Sequence, residues 1–245
     1  MTPADDVYRR SIRLVTTEPG TVVGDLEDDF HRFRVTVRHD GARVLAAEGE
    51  ALRWPWTTCP GAVEPLALLA GAPLTERCTG IGAYLKPRAN CTHMFDLAGL
   101  AVAHAARGTT TRRYDVSVSP SRDREGRAML ERDGVVLHEW TLVSNRAVAP
   151  EPFSTVPWEG GYFRWAEETF DPEAAEAVVV LRRACTIASG RGIELDSIPA
   201  ASELVYMTGA CYTFSPERMP VAYRVRESVR DFGPEPDAIL ANGTT

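Results

Sequence analysis

The sequence predicts an α+β fold, an antiparallel sheet with helices packed on one face. Three observations predict it. Runs in which every second residue is apolar lead into Asp-Gly pairs, the local signature of a hairpin. Longer stretches carry their apolar residues on a helical stripe between a start signal and a glycine stop. The chain of 245 residues, 44% hydrophobic and 25% charged, is also long and apolar enough to bury a substantial core. That composition excludes disorder as the main state, because the burial it permits offsets conformational entropy. A net charge of −7 argues against coating nucleic acid. No run approaches the ~20 apolar residues of a membrane helix, and Met1 to Asp6 lack the basic and apolar regions of a secretory signal. A cytoplasmic protein with no nucleic-acid or membrane partner is expected.

The elements follow in order. Residues 1 to about 20 read as a polar leading segment. In 31–38, Phe33, Val35 and Val37 alternate with polar residues, which predicts a half-buried strand. Asp40-Gly41 turns it into a partner strand at 44–52. A helix is expected from Cys59-Pro60, with Leu66, Leu69 and Ala70 as its apolar side and Gly71 as its stop. Asn90 is the expected cap of a second helix over 91–107, bearing Phe95, Leu97, Leu100, Ala101 and Val102 and ended by Gly108. Tyr114, Val116 and Val118 alternate as a further strand, and 128–131, Asp133-Gly134 and 135–143 form a hairpin. Pro150, Pro152 and Pro157 mark a link. Asp171-Pro172 then opens a helix through Val178, Val179, Leu181 and Ile187 to Gly190. Residues 207–232 form the last ordered unit, and 233–245 read as a disordered tail.

Phosphate-loop, dinucleotide-binding, serine-hydrolase and zinc-protease motifs are absent. Of 27 basic residues only Lys86 is lysine, a coding bias that lowers the weight of any single arginine. The five cysteines are widely spaced, a pattern that in a cytosolic chain points to buried thiols, ligands or nucleophiles rather than disulfides. Two of them, Cys59 and Cys91, stand at helix starts, where unpaired N–H groups and the helix dipole favour thiolate. With Asp29 and His31 at the strand edge and His93 beside Cys91, they form a mixed sulfur, nitrogen and oxygen set suited to zinc or iron. His93 and Asp96 are the candidate acid/base groups. Trp56, Tyr84 and Tyr212 are candidate walls of an apolar cleft, and Arg224 a candidate anchor for a carboxylate or phosphate. Each has a plainer reading as core or surface, and Cys78 and Cys185 are assigned to packing.

Several of these pieces resemble a bacterial family, the domain-of-unknown-function family two-eight-eight-nine. They are His31 at its strand start, the Thr58-Cys59-Pro60 turn, Leu69-Ala70-Gly71 and the helix start Cys91-Thr92-His93-Met94-Phe95-Asp96-Leu97. Leu181-Arg182-Arg183-Ala184 and Cys211-Tyr212-Thr213-Phe214 extend the likeness over most of the chain. The family name implies no activity, but its members lie among genes for breakdown of aromatic or polycyclic compounds, which implies an enzyme. The order of strand, Asp-Gly turn, strand, Cys, helix, Cys is in turn similar to iron–sulfur scaffolds of the IscU/NifU type. That likeness implies Cys59 and Cys91 as two of three cysteine ligands and Asp29 as the aspartate. The remaining cysteine position falls near Glu27, with His31 as its replacement.

Three divisions are therefore expected: an IscU/NifU-like metal-holding unit at 1–108, a covering or substrate-pocket extension of hairpin and helix at 109–232, and the tail. The expected function is a zinc- or iron-dependent enzyme acting on a small, partly apolar, aromatic or polycyclic molecule by lyase, hydratase or hydrolase chemistry. Its metal ligands are Asp29, His31, Cys59 and Cys91, its partner is a small-molecule substrate, and a homodimer is left open. An iron–sulfur or sulfur-transfer scaffold, a metal-free binding protein with buried thiols, and thiol catalysis through Cys91 and His93 are the alternatives.

Overall fold

The computed structural model describes residues 7–119 and 125–241. Its strands are β1 (Tyr8–Glu18), β2 (Thr21–Asp28), β3 (Arg32–His39), β4 (Val44–Arg53), β5 (Thr111–Val118), β6 (Gly126–Arg132), β7 (Val135–Val143) and β8 (Arg146–Ala149). They form one antiparallel eight-stranded sheet in the order β4-β3-β2-β1-β5-β6-β7-β8. The α-helices are α1 (Thr92–Arg107), α2 (Tyr162–Thr169) and α3 (Pro172–Ala188). The expected α+β class with an antiparallel sheet is the one observed. Contacts group the chain into two units, Ile12–Arg112 with Glu194–Arg230, and Met1–Ser11 with Arg113–Ile193 and Asp231–Thr245.

In the unit that holds α1, Phe33, Val35 and Val37 alternate inward on β3, and α1 packs on β2 and β3. Leu97 lies over Gly24 of β2, where a Cβ would stand 3.0 Å from its side chain. The helix ends as expected, with Gly108 in the left-handed region at φ +64. Its cap differs from expectation. The N-cap residue is Cys91, while Asn90 sits one step earlier and donates from Nδ2 to the Lys86 carbonyl at 3.0 Å. The helix expected from Cys59 is instead a run of 3-10 turns over Cys59–Leu69, because Pro65 inside it has no N–H to donate and its ring blocks the preceding turn.

The leading segment is the main correction. From Tyr8 onward it is strand, with Tyr8, Ile12 and Leu14 buried in alternation. Arg10 occupies the same inward row and hides the pattern; its guanidinium packs over the Tyr8 ring at 5.8 Å. Residues 1–6 of that segment lie outside the described residues. Residues 194–230 consist largely of short 3-10 turns, and Ala201, Leu204, Phe214, Met219 and Ala222 close a buried cluster with Trp56 and Cys59. They thus belong with the α1 unit, although the sequence groups them with the covering extension.

In the other unit, Asp133 and Gly134 link β6 to β7 with φ of 52 and 80, the type I′ geometry expected of Asp-Gly. Asp171 caps α3 by accepting from the Glu173 and Ala174 amides. The buried Tyr114 hydroxyl donates to Glu176 of α3 at 2.6 Å. Of the tail read as disordered, 242–245 lie outside the described residues, whereas Pro236–Ala238 form a turn followed by buried Ile239 and Leu240. Among the described residues, no helix is long and apolar enough to cross a membrane.

Candidate metal centre

Two chain segments of the α1 unit build the site. The first is the turn between β2 and β3. Asp28 closes β2, and its Oδ1 accepts from the amides of Phe30 at 2.9 Å and His31 at 2.8 Å. This Asx-type turn returns the His31 ring to within 3.1 Å of the same oxygen. Arg53, the last residue of β4, grips the turn from its backbone side. Its guanidinium donates to the carbonyls of Asp28 at 2.5 Å, Asp29 at 2.9 Å and His31 at 3.2 Å, and to the Glu27 carboxylate at 3.2 Å. The planar fork suits several carbonyls of one turn in a way an ammonium does not.

The second segment is the start of α1. His93 projects from the first turn and sets Nε2 3.1 Å from Asp28 Oδ2, while its Nδ1 lies 3.9 Å from the Cys91 sulfur. The His31 and His93 rings lie with centroids 3.8 Å apart, their planes tilted by 33°. One Asp28 carboxylate oxygen, one His31 nitrogen and one His93 nitrogen all lie within 4.8 Å of one another. Asp28 and His93 are buried, and the His31 side chain is 14% exposed, so the group meets solvent at His31.

Burial works to raise the pKa of the Asp28 carboxyl, but the charges and hydrogen bonds of His31 and His93 hold it well below the usual carboxylate range. The thiols go the other way. Burial pushes Cys59 up to about 12 and Cys91 well above an ordinary thiol, each further raised by neighbouring thiols. The helix-start effect expected to favour thiolate is thus outweighed by desolvation.

Of the expected ligands, His31 belongs to the convergent group, and His93, expected as an acid/base group, joins it. Asp29 does not; its neighbour Asp28 takes that place, while the Asp29 carbonyl accepts from Arg53 and from the Arg230 amide. Neither thiol belongs. Cys59 sits 3.3 Å from the Thr213 hydroxyl, and Cys91 meets His93 on the nitrogen facing away from Asp28. Asp96, one turn beyond His93, is half-buried and outside the group. Trp56 and Arg224 come together, but in the core: the Arg224 guanidinium lies 5.9 Å from the Trp56 ring and is tied to Asp196, Ser228 and the Pro55 carbonyl. Tyr212 packs beneath Arg218 and against Gly61, and Tyr84 is exposed at the end of a short turn. Asp28 was the residue missed. The sign of it is the spacing Asp28-x-x-His31 across a turn, the same device by which Asp40 accepts from the amides of Ala42 and Arg43.

No known protein family, curated protein or solved structure matches the chain.

Proposed function

We propose that Asp28, His31 and His93 hold a divalent metal, zinc or iron, in an enzyme acting on a small, partly apolar organic molecule. One observation carries this reading: two imidazole nitrogens and a carboxylate oxygen, from a turn and a helix start 65 residues apart, converge within 4.8 Å. Two nitrogens and one oxygen are a donor set that suits zinc or iron and leaves coordination positions open. When bound, such an ion polarises a carbonyl or activates water, the basis of hydrolase, hydratase or lyase chemistry.

The chain's own groups supply the rest. Asp28 Oδ1 accepts from the amides of Phe30 and His31, and those hydrogen bonds favour the ionised carboxylate that a metal requires. Cys91 faces Nδ1 of His93 and orients the ring so that Nε2 points to the centre. The buried Phe33 ring lies 5.5 Å from His31, and buried Phe30 flanks the same imidazole at 6.2 Å, an apolar surrounding that strengthens electrostatic interactions at the centre. A cluster scaffold of the IscU/NifU kind is less well supported, because the convergent group holds no sulfur. Thiol catalysis through Cys91 is disfavoured by the desolvation that keeps its proton on.

Titration of the metal-free protein with Co(II), read by its visible absorption, tests the reading. One ion per chain is expected, with affinity falling about a hundredfold or more in Asp28→Asn and His93→Gln, checked for folding by circular dichroism. A wild-type protein that binds no Co(II), or variants that bind it equally well, would end the proposal.

A further inference from the structure

In the unit that holds α3, a cavity of about 300 Å³ opens between the sheet and the chain end, lined by side chains of β1, β5 and β6 and by Asp237. We infer that it binds a small zwitterion, a free amino acid or a molecule of that kind, through Arg9 and Glu131.

The cavity's charges are not paired off evenly. Asp115 is fully used: Arg113 grips it through Nε at 2.7 Å and Nη2 at 2.8 Å, and the Ser11 hydroxyl donates to it at 2.7 Å. Asp237 acts on the same Arg113 through its charge. Glu131 stands directly across from Asp115 in the β5–β6 register, a like-charge neighbour that disfavours leaving both carboxylates without cations. Among the described residues, the Glu131 carboxylate has no hydrogen-bond or ion-pair partner, and neither has the Arg9 guanidinium, whose Nε is buried. An unpaired guanidinium and an unpaired carboxylate thus line one cavity without bridging to each other.

A ligand with one charge would satisfy only one end. The cavity's three arginines, Arg10 included, balance its three carboxylates, so it favours neither a net anion nor a net cation. A carboxylate placed on Arg9 and an ammonium placed on Glu131 satisfy both together, and the guanidinium fork is matched to a carboxylate. The volume lies at the small end of ligand pockets, the right range for an amino acid. This site is separate from the metal reading and does not rest on it.

Calorimetric titration with glycine, L-alanine, L-glutamate and L-phenylalanine tests the inference, with acetate and methylamine as single-charge controls. At least one amino acid should bind at or below about 10 mM while both controls fail to. Arg9→Gln and Glu131→Gln should each weaken that binding about tenfold with unchanged circular dichroism, since each removes one charged contact. Acetate binding as well as the amino acids would show a simple anion site and overturn the inference. So would the absence of amino-acid binding, or binding indifferent to both substitutions.

Discussion

Cys91 shows how much one side chain can matter to the proposed centre without belonging to its ligand set. Groups that fix the free nitrogen of a ligating imidazole commonly change metal affinity by about 10–100-fold. Cys91→Ala is therefore expected to weaken Co(II) binding about tenfold, and Cys91→Ser to keep most of it, as read by competition with a chelator. The buried thiols carry a second expectation. Cys59 has a folded pKa of about 12 against 9.0 when free, so the folded chain keeps a proton that the unfolded chain gives up. Its stabilising effect is complete below pH 9 and is lost as pH rises from there toward 12. Urea midpoints should fall across that window more steeply in the wild type than in Cys59→Ser; equal slopes would refute the assignment. At this scale the sequence exposed both histidines, one at a strand edge and one at a helix start. It did not expose Asp28, because choosing between adjacent aspartates depends on which one closes the strand and turns back on its own amides. Nor did it show that burial would overcome the helix field at Cys91, which is decided by packing from distant residues.

Among the elements, α1 is held by an unusually close approach. A Cβ on Gly99 would lie 2.0 Å from the Cys78 carbonyl oxygen, a backbone atom that cannot swing aside. Gly99→Ala is expected to cost about 3 kcal/mol, more than alanine's helix preference returns, and to lower Tm by roughly 5–10 °C. Gly82→Ala is the matched control: its Cβ would meet only the Phe95 ring, at an ordinary 3.8 Å, and Tm should barely move. Elements with a local cause were legible, namely the β3–β4 and β6–β7 hairpins from their Asp-Gly turns, α1 from its apolar stripe and glycine stop, and α3 from its Asp-Pro start. Those with a nonlocal cause were not. β2 is buried along nearly its whole length, Asp25, Glu27 and Asp28 included, and those acids are tolerated inside because Arg13, Arg34, Arg53 and the two histidines reach them from other segments. A single-sequence pattern registers such a stretch as polar.

Across the whole molecule, the chain order and the spatial order differ. The α1 unit is complete only when Glu194–Arg230 returns to it. That segment covers Trp56 and Cys59, bonds the Asn90 carbonyl beside α1 through the Tyr212 amide, and bonds the Asp29 carbonyl beside the candidate metal centre through the Arg230 amide. A chain truncated after residue 112 should therefore keep helical and strand signals in the far ultraviolet, lose near-ultraviolet signals and bind a hydrophobic dye. A native-like near-ultraviolet spectrum would show that the returning segment is dispensable. The same discontinuity sets a timetable during synthesis. Asp28, His31 and His93 leave the ribosome well before the residues that close over their surroundings, and about 120 residues must still be added. At ~5–20 residues per second, the nascent chain waits on the order of ten seconds with Cys59 and Cys91 uncovered. In the cell, thiol protection, and loading of the proposed centre with metal, thus become matters of timing as well as affinity, and chains stalled just before residue 194 should label at both cysteines where full-length chains do not.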